Sequence, residues 1–230
     1  HRRNRIVLAL LALLLGVGLV ASSAQAKKPA EDADKGKKLG LSPQVGAKLM
    51  AAYELFDQGN GDGALEIVNG LANRRKLTPP ELAQIHRFRG YIYVDKGQTD
   101  KAIGEFEQCL AQHGLEAATE RDLIYSLAQL YTSVDKFDKA LDLINQWFEA
   151  SEEPPKPDAY FLKGMILVQQ QKYKEAAEPI DKAIELIDKP KESWLTTQGV
   201  VYSNLGDYAK LEEILKKLVG MAPQKPQYWT

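Results

Sequence analysis

The sequence has little of what disulfide frameworks, metal sites and enzymes require. One cysteine, Cys109, and three histidines occur in 230 residues, so an internal disulfide is impossible and the usual zinc-ligand spacings are missing. No H-E-x-x-H, G-x-S-x-G or glycine-rich phosphate loop is present. We therefore expect a protein that is not an enzyme, without catalytic residues, a bound metal ion or a cofactor.

An excess of charge of one sign is also missing. Lys and Arg number 30 and Asp and Glu 31, which gives a formal net charge of −1 at pH 7. Proteins that bind nucleic acids concentrate Lys and Arg on one face, and no such concentration is found here. No convergent set of titratable groups marks a small-molecule site either. The sequence therefore favours a protein partner over nucleic acid or a small-molecule substrate.

The N-terminus has the pattern of an export signal. Three arginines within the first five residues precede the uncharged apolar run of residues 6–21, and Ala24 and Ala26 supply the small-x-small pattern of a cleavage site. We predict a signal peptide over residues 1–26, cleaved after Ala26, and a periplasmic protein. The alternative is an uncleaved anchor in the inner membrane facing the periplasm, because the run falls just short of the roughly 20 residues of a spanning helix.

The next segment has almost nothing to bury. Residues 27–41, KKPAEDADKGKKLGL, are rich in charge, Pro and Gly, so their burial cannot offset the chain entropy lost on folding. We predict a disordered charged tether here. From residue 42 onward apolar residues recur three and four apart, which predicts helices.

Four similar segments reveal an internal repeat. TDKAIGEFEQCL (99–110), FDKALDLINQWF (137–148), YKEAAEPIDKAI (173–184) and YAKLEEILKKLV (208–219) share one helical pattern, and another helical pattern precedes each. With an earlier, more diverged copy, the small residue near the start of the second helix is spaced by 38, 38, 36 and 35 residues; these positions are Ala64, Ala102, Ala140, Ala176 and, less well, Leu211.

A period in the mid-thirties made of two helices resembles the tetratricopeptide repeat (TPR). The resemblance implies an all-α protein, a right-handed α-solenoid of helix-turn-helix units. It covers residues 42–225, with five units at 45–78, 83–114, 121–153, 157–190 and 192–224. Residues 226–230 are expected to begin a sixth, truncated unit.

Small residues and glycines have specific places in this register. Gly90, Gly164 and Gly199 fall where the first helix of a unit crosses the second, where only small side chains allow a close approach. Three other glycines, Gly59, Gly97 and Gly206, fall in turns that need a positive φ. Cys109 is predicted to be a core residue, His86 a packed core residue, and Pro179 is expected near the start of its helix.

A narrower resemblance is carried by PDAYFLKGMILVQQQKYKEAAEPIDKAIELIDKPKESW (157–194) and by the C-terminal LEEILKKLVGMAPQKPQYWT (211–230). Both stretches look like periplasmic TPR proteins encoded beside TonB, ExbB and ExbD in Gram-negative bacteria. The resemblance implies an adaptor accessory to TonB-dependent uptake. The alternatives are an assembly cofactor for outer-membrane, pilus or cell-wall machinery, and a structural, self-associating module.

In stacked units the first helices line a concave face. Aromatic, arginine and methionine side chains are typical of protein-binding surfaces, and the register places eight candidate contact residues there: Tyr53, Phe56, Arg87, Tyr91, Tyr125, Gln129, Phe161 and Met165. We expect them to bind a peptide segment of a partner or a subunit of an envelope complex. The alternative is that several of them pack between neighbouring units.

Overall fold

A computed structural model describes residues 40–151 and 154–224. The predicted signal peptide, nearly all of the predicted tether and the predicted sixth unit lie outside the described residues. Within them the chain forms ten α-helices and no β-strand, which confirms the all-α repeat fold. None of these ten helices is long and apolar enough to cross a bilayer.

The helices alternate between the first and the second helix of each predicted unit. Their bounds are α1 Pro43–Asp57, α2 Gly61–Ala72, α3 Pro79–Asp95, α4 Thr99–Ala111, α5 Ala117–Ser133, α6 Phe137–Glu149, α7 Pro157–Gln169, α8 Tyr173–Glu185, α9 Glu192–Leu205 and α10 Tyr208–Met221.

The turn between the two helices of each repeat has the same geometry. One residue adopts a positive φ in each turn: Gly59, Gly97, Asp135, Gln171 and Gly206. These positions are spaced by 38, 38, 36 and 35 residues, as the small residues of the second helices are. The following residue donates its N–H to a carbonyl five residues back, as from Asn60 to Leu55 at 2.8 Å and from Gln98 to Tyr93 at 2.8 Å. This bond satisfies a carbonyl that the helix end would leave unpaired.

The described chain divides into two compact units, one ending at Ser126 and the other beginning at Leu127, inside α5. In the first unit α1 packs on α2, α2 on α3, and α3 on α4. Its core includes the fully buried side chains of Val68, Leu71 and Phe88. In the second unit consecutive helices from α6 to α10 pack on one another.

Two of the three predicted close crossings are confirmed. A Cβ atom at Gly90 would lie 2.2 Å from Cε1 of Phe106, and one at Gly164 would lie 2.3 Å from Cγ1 of Ile180. No side chain fits in either place. At Gly199 the nearest atoms are 3.7 Å away, an ordinary van der Waals distance, so an alanine would fit there.

The prediction for Pro179 is wrong. Pro179 lies inside α8, six residues after its first residue, Tyr173, and it is buried. A proline there removes one helical hydrogen bond and costs roughly 3 kcal/mol relative to alanine. The helix persists because Ala176, Ile180 and Ala183 on the same face are fully buried, and their packing holds the backbone in place.

Candidate functional site

The eight predicted contact residues divide between the two compact units. Tyr53, Phe56, Arg87, Tyr91 and Tyr125 belong to the first unit, and Gln129, Phe161 and Met165 to the second. All except Tyr91 are half-buried.

Tyr53 and Phe56 of α1 both pack on Phe88 of α3. The Tyr53 ring is stacked on the Phe88 ring with the centroids 3.8 Å apart, and the Phe56 ring meets it edge-on at 5.7 Å. Phe88 itself is fully buried. The two half-buried rings are therefore held rigidly by the core, which reduces the side-chain entropy they would lose on binding.

Arg87 lies one turn before Tyr91 on α3, and its guanidinium carbon lies 6.0 Å from the centroid of the Tyr91 ring. Its Nε is buried and has no hydrogen-bond partner among the residues that the structure describes, which is a costly arrangement for a polar atom. Burial raises the pKa of Tyr53, and the positive charge of Arg87 opposes this rise. The positive charge of Arg87 thus lies next to both Tyr53 and Tyr91.

Tyr91 has a different position from the one expected for a contact residue. It is only 4% exposed, and its ring meets the Phe106 ring edge-on with the centroids 5.2 Å apart. Burial raises the pKa of Tyr91 to about 12, against the opposing charge of Arg87. Tyr91 therefore supports the surface around Arg87 from beneath.

Two carboxylates at the start of α5, Glu120 and Asp122, raise the pKa values of neighbouring groups in the first compact unit. Asp122 contributes to raising the pKa of Tyr91, and Glu120 contributes, after burial, to raising the pKa of the Cys109 thiol to about 12. Cys109 is fully buried and donates a hydrogen bond to the carbonyl oxygen of Ala83 at 3.0 Å, so its prediction as a core residue is confirmed. The first unit thus combines a cation, phenol rings and nearby carboxylates.

In the second unit Phe161 stacks on Trp194, with the ring centroids 4.5 Å apart and an interplanar angle of 8°. Nζ of Lys191 lies 4.9 Å from the centroid of the Trp194 ring and 3.3 Å from Oδ1 of Asp158. Trp194 is only 4% exposed. One side of Phe161 is therefore occupied within the unit itself.

The structure places His86 in an ion cluster, and the prediction of a packed core residue is wrong. His86 is half-buried, with Nδ1 2.8 Å from Oε2 of Glu105, and Nη2 of Arg89 lies 2.7 Å from Oε1 of the same carboxylate. These residues join α3 to α4. Within residues 40–151 and 154–224, no group of three or more His, Cys, Asp or Glu side chains is arranged to hold a metal ion.

Sequence reasoning missed a polar clamp at the start of α3. Glu81 is 4% exposed and accepts hydrogen bonds from the backbone N–H and the hydroxyl of both Ser42 and Thr78. Thr78 and Glu81 form a capping box, for which T-x-x-E was the available signal. The bonds to Ser42, 39 residues away, had no signal in local sequence.

Comparison with known families identifies the fold. The tetratricopeptide repeat models match residues 49–122, 125–190 and 195–225. The chain belongs to the TPR family. No curated protein sequence matches it.

Solved TPR structures agree over most of the chain. YrrB, described as a TPR protein with an unusual peptide-binding site, has a TM-score of 0.65 and 21% identity and aligns over 89% of this chain and 97% of its own. A tetratricopeptide repeat protein from Parabacteroides merdae has a TM-score of 0.64 and 21% identity, over 82% and 70% of the two chains. MamA from Desulfovibrio magneticus RS-1 has a TM-score of 0.63 and 17% identity, over 80% and 98%.

Proposed function

We propose that this TPR protein is a scaffold that binds a segment of a partner protein through the first compact unit, which ends at Ser126. The proposed contact surface consists of Tyr53, Phe56, Arg87 and Tyr125, and is called the Arg87 face below. The observation that carries the proposal is the half-buried Arg87, whose guanidinium lies 6.0 Å from the Tyr91 ring and forms a hydrogen bond with Tyr53.

The physical case rests on the kind of side chains and on their support. Tyrosine and arginine dominate binding energy at protein interfaces, and rings that are already fixed lose little entropy on binding. Tyr53 is fixed by Phe88, and Arg87 lies against the buried Tyr91. A peptide-binding site in the similar structure YrrB supports a peptide segment as the partner.

Site-specific crosslinking tests this proposal. A photo-crosslinking amino acid at position 53 should capture a partner in native extracts, whereas the same amino acid at the exposed Gln108 of α4 should not. Arg87→Ala should abolish the capture at position 53. Arg75→Ala, which removes an exposed arginine of the loop before α3, is the matched control and should leave it intact. Equal capture by the Arg87 and Arg75 variants would refute the role of the Arg87 face.

The finer part of the proposal concerns the compartment and the machinery. We propose a periplasmic adaptor accessory to a TonB-dependent uptake system, supported by the export pattern of residues 1–26 and by the resemblance of residues 157–194 and 211–230. Cell fractionation should place the protein in the periplasmic extract, whereas an uncleaved leader would leave it in the inner-membrane fraction after an alkaline wash.

The identity of the crosslinked partner separates the alternatives. Capture of TonB, ExbB or ExbD supports the adaptor role, and capture of outer-membrane, pilus or cell-wall assembly proteins supports the assembly cofactor instead. Capture of a second copy, together with a dimeric mass in light scattering, supports the self-associating module. These outcomes identify the partner. The role of the Arg87 face is tested separately by the Arg87→Ala and Arg75→Ala variants.

A further inference from the structure

The second compact unit contains a cleft that the Arg87 face does not include. It has a volume of about 840 Å³ and lies among the second helices α8 and α10, the first helix α9 and the loop that follows α8. Its lining residues are Asp181, Ile184, Glu185, Ile187, Asp188, Lys189, Pro190, Leu195, Gln198, Lys210, Lys217 and Met221.

The two helical walls of the cleft have opposite charge. The α8 wall contributes Asp181 and Glu185, and the α10 wall contributes Lys210 and Lys217. The loop after α8 contributes one residue of each sign, Asp188 and Lys189. An occupant with uniform charge would be attracted by one wall and repelled by the other. The cleft therefore selects an occupant whose own two sides differ in charge.

The charged groups of the cleft are of two kinds. Some are held by hydrogen bonds and an ion pair, and others form no ion pair among the described residues. Asp181 accepts hydrogen bonds from Gln198 at 2.8 Å and from the Tyr202 hydroxyl, and Nζ of Lys210 lies 3.6 Å from it. Asp188 and Lys217, by contrast, form no ion pair among the described residues. The fixed group sets the shape of the cleft, and the charges without an ion pair are available to an occupant.

Apolar side chains lie between the charged walls. Ile184, Leu195 and Met221 line the cleft. Met221 is 50% exposed, whereas Leu195 belongs to the core and is 1% exposed. Leu186, next to the lining residue Ile187, is 46% exposed. A ligand-sized concave surface of this kind, with exposed apolar groups, is typical of a binding site.

The size of the cleft fits a helix. Along α10 the lining residues run from Lys210 to Met221, about 16 Å, which is longer than two helical turns. Two turns of an α-helix about 10 Å in diameter occupy roughly 800 Å³, which matches the volume of the cleft. An extended peptide of about five residues spans the same length, but its side chains alternate between two opposite sides, so it cannot present an apolar stripe between two charged flanks.

We propose that this cleft docks an amphipathic α-helix of a partner protein, with Lys or Arg on the flank that faces α8 and Asp or Glu on the flank that faces α10. The apolar stripe of the helix covers Ile184 and Met221. This would be a second binding surface, separate from the Arg87 face, so that the scaffold could hold two segments at once.

Two synthetic helical peptides provide the probe. Both are stapled, about 14 residues long, equal in composition and apolar stripe, and differ only in which flank carries the basic and which the acidic residues. Binding to the full chain is measured by fluorescence anisotropy. The matched peptide should bind roughly tenfold more tightly than the flank-swapped peptide, because several charge contacts change from attraction to repulsion.

Neighbouring lysines provide the matched variants. Lys217→Glu should weaken binding of the matched peptide about fivefold or more. Lys216→Glu should leave binding unchanged, because Lys216 lies outside the cleft and pairs with Glu212 at 2.6 Å. Met221→Glu should abolish binding while leaving the thermal melt unchanged, since this side chain is half exposed. Arg87→Ala should have no effect, which separates this test from that of the Arg87 face.

Equal binding of the two peptides, or no binding by either, would overturn the proposal. Equal weakening by the Lys216 and Lys217 variants would also overturn it, because the contact would then be nonspecific. A chain that ends at Gln224 provides the last check. If binding requires removal of residues 225–230, the chain itself is the occupant and the docking proposal is wrong.

Discussion

Gly90 of α3 lies so close to the Phe106 ring of α4 that a Cβ atom at Gly90 would be 2.2 Å from Cε1 of the ring. Phe106 is 1% exposed, so the ring cannot move away into solvent. The absence of a single methyl group at Gly90 therefore sets the distance at which the two helices of the second repeat cross.

We predict opposite effects for alanine at two glycines of the repeat. Gly90→Ala should destabilise the protein by about 1–3 kcal/mol, the usual cost of overpacking a core. Gly199→Ala should stabilise it by up to about 1 kcal/mol, because the helix gains propensity and the nearest atoms are 3.7 Å away. Urea unfolding of both variants measures the difference, and equal midpoints would show that the crossing at Gly90 can widen freely.

A second prediction concerns the buried carboxylate of Glu81. Glu81→Ala should lower the free energy of unfolding by about 2–3 kcal/mol, since it leaves donors of Ser42 and Thr78 without their acceptor. The exposed Glu66→Ala should change it by less than about 0.5 kcal/mol. A similar loss for both would mean that the clamp contributes nothing specific.

The pH dependence of stability has a definite sign at Glu81. Burial alone would raise its pKa, but the hydrogen bonds from Ser42 and Thr78 outweigh burial and lower the pKa below its ordinary value of 4.5. A lowered pKa in the folded state adds stability above pH 4.5 that is lost as the pH falls through the folded pKa. Acid titration of unfolding should therefore be flatter in Glu81→Gln than in the natural chain.

At alkaline pH we expect a loss of stability that comes from Tyr91. Its pKa is raised from 10.0 to about 12 in the folded protein, with burial as the largest cause. The stabilisation is complete below pH 10 and is lost as the pH rises through about 12. Tyr91→Phe cannot ionise, so its unfolding midpoint should fall less between pH 10 and 12. An identical fall in both proteins would show that Tyr91 is not the group responsible.

Cys109 should be inert in the native protein. Its pKa of about 12, against an ordinary 9.0, leaves roughly a thousandfold fewer thiolates, and the thiolate is the reactive form. A chromogenic disulfide reagent should therefore react with one thiol per chain in denaturant and with almost none in buffer. Rapid reaction in buffer would mean that α4 opens readily around Cys109.

The repeat register could be predicted because it depends on local features. The spacing of the small residues, and the glycines at 59, 97 and 206, follow from helix packing and from positive φ, which act within one unit. Asp135 and Gln171 occupy the same left-handed position, but the sequence did not indicate a positive φ there, because neither residue type requires that conformation. Pro179 was placed wrongly because propensity alone ignores the buried face that holds α8 together.

The candidate site could be predicted only in part. The register placed Tyr53, Arg87 and Tyr91 on one face, and the structure keeps Tyr53 and Arg87 half-buried there. It could not show that Tyr91 is covered, since the edge contact with Phe106 depends on how α3 and α4 pack. The cleft between α8 and α10 had no sequence signal, because its charges come from segments about thirty residues apart.

The left-handed turns between the two helices of a repeat differ in cost. Three of them use glycine, at Gly59, Gly97 and Gly206, whereas Asp135 and Gln171 reach the same backbone at a penalty of about 1 kcal/mol each. Released on opening, this penalty favours local unfolding at these hinges. In hydrogen exchange, the amides of Lys136 and Lys172 should therefore exchange before those of Asn60 and Gln98, which gives the array a preferred order of disassembly.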